Sequence, residues 1–316
     1  DDDMGSLDNK GTISAFASVG DAGGYGSYVC ATDVYGMYFD SSYTMGSFNN
    51  SGTVSAAASA GSAGGEDSYA EASDVYAIYL DDDFEVTSFV NSGTISASAS
   101  AGNAGGTGSY VNVNNVFGVL FPDNVYSVTN TGTISATAAA GHASGESSTV
   151  VIADVFGAAF SGGLGTLDNQ GTISAAARAG DNATIMRVAG LALEGDGLIN
   201  NSGTVRTQVT AGNNANISEV AGIGINNGTV TINNTGNIYV SINSIGMPAS
   251  PVNAGGIGVV DSNVTISNPG AIYLDTNIAN ANIRTLGAIN STVTLADRFG
   301  VVFGCPGVTQ RPIYID

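Results

Sequence analysis

The sequence has no tryptophan, one histidine, one lysine and two cysteines in 316 residues. Cations are scarce: seven Lys and Arg stand against 27 Asp and Glu, a net charge of −20. Phosphate contacts need Lys and Arg, so nucleic acid is excluded as a partner and anionic membrane surfaces are disfavoured. The single histidine, His142, lies in a glycine-rich stretch. No Ser/His/Asp set, zinc motif or phosphate-binding loop can be built around it. A carbohydrate-active β-helix enzyme would cluster acids with bases. Here the arginines are dispersed at Arg178, Arg187, Arg206, Arg284, Arg298 and Arg311, so an enzyme is not expected, and neither is a cofactor. No apolar run reaches about 18 residues, so no membrane insertion by a helix is expected. The apolar residues are mostly Ala, Val and Ile, which points to a thin, repetitive interior.

A repeat is present throughout. Asn9-Lys10-Gly11-Thr12-Ile13-Ser14-Ala15 returns as Asn50-Ser51-Gly52-Thr53-Val54-Ser55-Ala56, and again from Asn91, Asn130 and Asn169. Looser copies start at Asn201, Asn234 and Asn268. The motif glycines, from Gly11 to Gly270, are spaced by 41, 41, 39, 39, 32, 33 and 34 residues. Gly300 marks a degenerate last turn. Such periods fit one coil of a solenoid. A second signal follows in each coil, as in Asp33-Val34-Tyr35-Gly36-Met37-Tyr38-Phe39 and Val220-Ala221-Gly222-Ile223-Gly224-Ile225. A third precedes the motif, as in Ser47-Phe48-Asn49. Each coil therefore carries about three β segments joined by Gly/Asn/Asp turns.

Period-2 alternation separates inside from outside. Ile13, Ala15, Ala17 and Val19 share one face, and Ser14, Phe16 and Ser18 the other. The alanines predict a thin N-terminal half. Thr207, Val209, Val240, Ile242 and Leu274 replace them later and predict a fatter C-terminal half. The expected fold is all-β, a single parallel β-solenoid over residues 1–316 with about 8–9 coils of 30–41 residues. Residues 1–170 form long coils with a Gly-rich hairpin or loop inserted in the first four. Residues 171–300 form shorter coils, and 301–316 a tail. The motif asparagines should stack as a hydrogen-bonded ladder, with the motif glycine supplying a positive φ at the corner.

Four groups of residues invite a functional reading. Cys30 and Cys305 would lie about 40 Å apart along nine stacked coils, beyond the reach of a disulfide. They are expected to join one subunit's first coil to the next subunit's last coil; the alternative is two unpaired thiols. Asp81, Asp82, Asp83 and Glu85 crowd one turn, and oxygen-rich clusters suit Ca²⁺, although solvated loop acids are the simpler account. Asp33, Asp74, Asn115 and Asp154 form one column, expected to cap strands. Tyr28, Tyr69 and Tyr110, and Tyr35, Tyr76, Phe117 and Phe156, form aromatic columns, expected as packing, with a sugar platform the sharper alternative. Asn-x-Ser/Thr sequons stand at Asn49, Asn182, Asn200, Asn216, Asn227, Asn233, Asn263 and Asn290, candidate N-glycosylation sites on a secreted chain.

The Asn-x-Gly-Thr-Ile turn-strand and the Val-Ala-Gly-Ile-Gly-Ile strand resemble the passenger regions of bacterial autotransporters and related surface β-helix proteins over residues 5–295. By composition the chain is also similar to the thin β-sheet subunits of tubular sheaths around some methanogenic archaea. The first resemblance implies a parallel β-helix, secretion and a cell-surface location. The opening Asp1-Asp2-Asp3 reads as a processed N-terminus. Charge is asymmetric: residues 1–160 carry a net −17 and 161–316 a net −3, which favours contacts between unlike halves. The expectation is a structural subunit that self-assembles head-to-tail and laterally into an extracellular filament, tube or sheath. The alternative is a monomeric surface adhesin for a host protein or glycan.

Overall fold

The computed structural model describes residues 4–40, 44–244, 252–277, 281–289, 291–295 and 301–303. It is all-β, a parallel β-helix of three sheets. The first sheet stacks nine strands from Met4–Asn9 to Thr292–Leu295, and the second stacks nine from Thr12–Ser18 to Val301–Phe303. The third runs through eight coils, from Tyr28–Ala31 with Val34–Phe39 to Ala281–Ile289. All pairs are parallel, so each coil's backbone groups bond to the coils above and below.

Alternation decides what fills the tube. Val54, Ala56 and Ala58 are buried, while Ser55, Ala57 and Ser59 face outward and are half-exposed. The same parity runs through Ile95, Ala97, Ala99 and Ile134, Ala136, Ala138. Small alanines let the second and third sheets approach closely, and the two draw apart toward the C-terminus as the side chains grow. Thr207 brings a buried hydroxyl into this wider part. It accepts the Gly190 N–H at 2.8 Å and donates to the Ala221 carbonyl at 2.6 Å, so it carries no unpaired polar atom into the core. In the first sheet Phe48 and Phe89 stack at 4.8 Å inside the tube.

The asparagine ladder is continuous. Asn9 donates to Asn50 at 2.8 Å, Asn50 to Asn91, Asn91 to Asn130 and Asn130 to Asn169, each at 2.8 Å. It continues through Asn201 and Asn234 to Asn268. From Asn50 onward the rungs are essentially solvent-free.

One expectation is corrected. The motif glycines do not take a positive φ; among the described glycines that conformation belongs to Gly26, Gly108 and Gly195. Glycine is needed at the corner because successive turns nest. A Cβ on Gly132 would stand 2.1 Å from the Gly93 carbonyl oxygen, and those on Gly52, Gly93 and Gly171 would be as crowded. Of the two forms expected for the Gly-rich insertions, hairpin or loop, they take the loop. They lie flat on one another through single parallel bridges, Ala22 to Ala63 to Ala104 to Ala143, and these alanines extend the core.

Those loops are stacked by a second side-chain ladder. Asp21 accepts the Ser62 N–H at 2.6 Å, Ser62 that of Asn103 at 3.1 Å, and Asn103 that of His142 at 2.8 Å. His142 Nδ1 accepts the Asp181 N–H at 3.0 Å, and Asp181 accepts that of Asn213 at 2.6 Å. The one histidine thus has a structural post as an acceptor in a column of short polar side chains.

Candidate functional site

The third sheet's strands are long and bent, and this shapes the most distinctive surface. Tyr69–Leu80, Tyr110–Phe121, Thr149–Phe160 and Ala183–Glu194 each run 12 residues. Each turns midway at a left-handed residue. The column is Asp33, Asp74, Asn115, Asp154, Arg187 and Glu219, with φ between 53° and 59°. The expected Asp/Asn column is therefore there, but it kinks strands in their middle where the sequence suggested caps. Asp and Asn tolerate this conformation. Arg187 and Glu219 do not favour it and are held there by the ladders on both sides.

Past the kink, a second apolar cluster lies outside the tube. One outward column reads Tyr35, Tyr76, Phe117, Phe156, Ala189, Ala221 and Gly255 in register. The next reads Tyr38, Tyr79, Leu120, Ala159, Ala192, Gly224, Gly258 and Gly287. Tyr35, Tyr76 and Phe117 stack at 5.4 and 5.2 Å, and Tyr38 stacks on Tyr79 at 5.4 Å. Before the kink, Tyr28, Tyr69 and Tyr110 stack at 4.8 and 5.2 Å. Both aromatic columns are present as expected, and their rings pack on one another.

Acids hold the tyrosine hydroxyls. Tyr38 donates to Asp81 at 3.0 Å and Tyr79 to the same carboxylate at 3.3 Å. The hydrogen bond to Asp81 pushes the Tyr38 hydroxyl up to about 12, and burial pushes Tyr79 up to about 12. Tyr28 donates to Glu71 at 2.8 Å, and that bond raises Tyr28 well above the ordinary phenol range. Burial works to raise Glu71, but bonds from Tyr28, Asn112, Ser73 and Tyr69 outweigh it and hold the carboxyl low. These tyrosines are neutral donors at physiological pH.

The turn acids are divided in their tasks. Asp81 serves the two tyrosines, the Asp83 N–H donates to Asp123, and Asp82 is exposed. Among the described residues no three His, Cys, Asp or Glu side chains converge on a metal position, at Asp81, Asp82, Asp83 and Glu85 or elsewhere. Cys30 is a free, half-buried thiol in register with Glu71 and 3.5 Å from the Thr32 hydroxyl. Cys305 lies outside the described residues, as does Asn290. Of the other sequons, Asn182, Asn227, Asn233 and Asn263 are exposed, while Asn49, Asn200 and Asn216 are half-buried. The Asn200 amide donates to Asp168 at 2.7 Å. With Asn233 and their neighbours these residues line a shallow outer hollow beside the ladder turn.

Asp154 is the most buried acid of the kink column. Arg187 pairs with it at 2.5 Å and the arginine side chain is half-exposed. Burial raises the Asp154 carboxyl, Arg187 lowers it, Glu219 raises it, and the net direction is up. A carboxyl raised in the folded state contributes stability fully at pH below its unfolded value, and loses it as pH rises through the folded value. Asp154→Asn should therefore lose this pH dependence while keeping the left-handed backbone, since Asn115 already occupies the same column. The expected change at neutral pH is neutral to stabilising by up to about 1 kcal/mol. Thermal melts from pH 4 to 8 measure it; a clear loss of stability at neutral pH would show that the ion pair outweighs burial.

No protein-family model matches the chain, and no curated protein and no solved structure matches it.

Proposed function

We propose that this chain is a structural subunit that assembles with copies of itself, head-to-tail and laterally, into an extracellular filament, tube or sheath at a cell surface. One observation carries the reading: over its first five coils the outer face of the second sheet is made mostly of short side chains in strict register. Its columns are Ser14, Ser55, Ser96, Ser135 and Ser174, and Phe16, Ala57, Ser98, Thr137 and Ala176. Apart from Phe16 and Arg178, this part of the face admits close lateral approach of another repeat of the same spacing; from the sixth coil the columns turn to Arg206, Tyr239, Tyr273 and Gln208. Axial growth needs only that the three parallel ladders continue from one copy to the next. Cys30 and Cys305 are the proposed covalent lock between successive copies, formed in an oxidising compartment. The secreted, surface location follows from that chemistry and from the acidic, cation-poor composition.

Electron microscopy of the purified chain tests the assembly. Ordered fibres or tubes are expected, and Ser96→Arg with Ser135→Arg should leave the melting temperature within the range of surface substitutions, about 0.5 kcal/mol, while abolishing lateral order. Gels without reductant should show covalent multimers that Cys30→Ser removes. Dispersed single particles and a monomer band at all concentrations would overturn the proposal. A surface adhesin for a protein or glycan is the second reading, favoured by the exposed Tyr28 ring at the end of its stacked column. Glycan binding lost in Tyr28→Ala, by particles that never assemble, would support it instead.

A further inference from the structure

The two outward columns past the kink are graded in size. From the first coil to the eighth, one runs Tyr, Tyr, Leu, Ala, Ala, Gly, Gly, Gly, at residues 38, 79, 120, 159, 192, 224, 258 and 287. The other runs Tyr, Tyr, Phe, Phe, Ala, Ala and Gly over the first seven coils. One half of the face is an aromatic ridge and the other a bare shelf.

Two of the shelf glycines, Gly224 and Gly258, are not required by packing within the chain. Gly224 has nothing within 4 Å of a built Cβ, and Gly258 meets a single atom, the Ala221 methyl, at an ordinary 3.7 Å. Neither is left-handed. They contrast with Gly118 and Gly157, where backbone oxygens stand 2.4 and 2.6 Å from a built Cβ. Glycine in a strand interior costs roughly 0.5–1 kcal/mol relative to Ala and marks places where another chain comes close.

We infer that this face pairs with the same face of a second copy, with the two solenoid axes antiparallel. A two-fold axis lying in the interface along the strand direction sets coil 1 against coil 8, coil 2 against coil 7, and so on. Large then meets small at each level. In one column Tyr38 faces Gly287, Tyr79 faces Gly258, Leu120 faces Gly224, and Ala159 faces Ala192. In the other, Tyr76 faces Gly255, Phe117 faces Ala221, and Phe156 faces Ala189. Interdigitation of this kind fills an inter-sheet gap of about 10 Å. A parallel pair would set Tyr against Tyr and leave a void between the glycines.

Charge gives an independent reason. Across the same two-fold, the kink column sets Asn115 against Glu219 and Asp154 against Arg187. Neither pair sets an acid against an acid. The size also fits. Eight coils by six residues make a face of about 40 by 20 Å, on the order of 800 Å² per copy, the area of a standard stable interface.

The pairing extends the assembly proposed above by naming one lateral contact, and it stands or falls separately because it is read in the soluble fraction, whether or not filaments form. Sedimentation of the purified full chain should give a two-copy particle. Gly224→Val with Gly258→Val should raise its Kd at least about tenfold while leaving the melting temperature unchanged or higher, because Val suits a strand better than Gly. Orientation is read by cross-linking in a chain with Cys30→Ser and Cys305→Ser. Tyr79→Cys combined with Gly258→Cys should form disulfides between copies, and Tyr79→Cys alone should not. A monomer at about 100 µM, far above the Kd of ordinary stable complexes, would overturn the inference. So would undiminished pairing of the valine variant, or cross-linking of Tyr79→Cys by itself.

Discussion

Asn130→Asp is expected to destabilise the solenoid by about 3–5 kcal/mol at neutral pH, the cost of leaving a buried charge uncompensated. Asn130 is fully buried and works in both directions. Its carbonyl oxygen accepts from Asn91 at 2.8 Å; its amide donates to Asn169 at 2.8 Å and to the Thr172 carbonyl at 3.3 Å. A carboxylate keeps the first bond. In place of the other two it sets an anion against two oxygens. Protonation restores one donor toward Asn169, so the introduced carboxyl should have a folded pKa above its unfolded value of about 3.9. The sign follows: the defect is smallest below pH about 4 and grows with pH, by up to about 1.4 kcal/mol per unit, until the folded pKa is passed. Urea melts of variant and parent at pH 3, 5 and 7 measure the gap. A gap that does not change with pH would mean that the ladder is wet.

That ladder was legible in the sequence because its cause is local and periodic. An Asn two residues before a Gly, repeated at the coil period, can only stack on its own copies once the strands are parallel. The three sheets, the inward alanines and the outward serines were legible for the same reason. What the sequence concealed involves contact between coils. The corner glycines look like turn glycines, yet their need comes from the turn beneath, which no single repeat shows. The kink column could be seen at Asp33, Asp74, Asn115 and Asp154, whose side chains suit a left-handed backbone, but not at Arg187 or Glu219, where register overrides preference. The acceptor ladder through Asp21, Ser62, Asn103, His142 and Asp181 was hidden by its chemical variety. Its signal is positional: each of these residues follows a glycine that ends the second strand's loop. The graded outer columns were half visible, because the aromatic members draw the eye, while the glycines that complete them lie inside strand segments with no side chain to mark the face.

The corner glycines yield the second large effect, and it depends on position within the stack. Gly132→Ala should cost about 3 kcal/mol or more, the upper range for overpacking. The added Cβ would stand 2.1 Å from the Gly93 oxygen, 2.7 Å from the Ser92 carbonyl carbon and 2.9 Å from the Gly93 nitrogen. All three are backbone atoms, so no side chain can move aside. The nested turn is itself fixed, because the Thr131 and Gly132 N–H groups both donate to the Asn91 carbonyl, at 2.8 and 3.1 Å. Relief would require separating two coils, which breaks the Asn91–Asn130 rung and the Thr133 N–H bond to Gly93 at 2.9 Å. Gly11→Ala, the same substitution in the same motif, should be neutral or stabilising by about 0.4–1 kcal/mol through the unfolded chain. Gly11 has nothing within 4 Å of a built Cβ, because no described turn lies beneath it. Unfolding of the two variants side by side separates nesting from intrinsic turn preference. If glycine were required by the turn's own backbone, both variants would lose stability alike. If nesting requires it, the loss falls on Gly132 and recurs at Gly52, Gly93 and Gly171, where the Cβ would come as close.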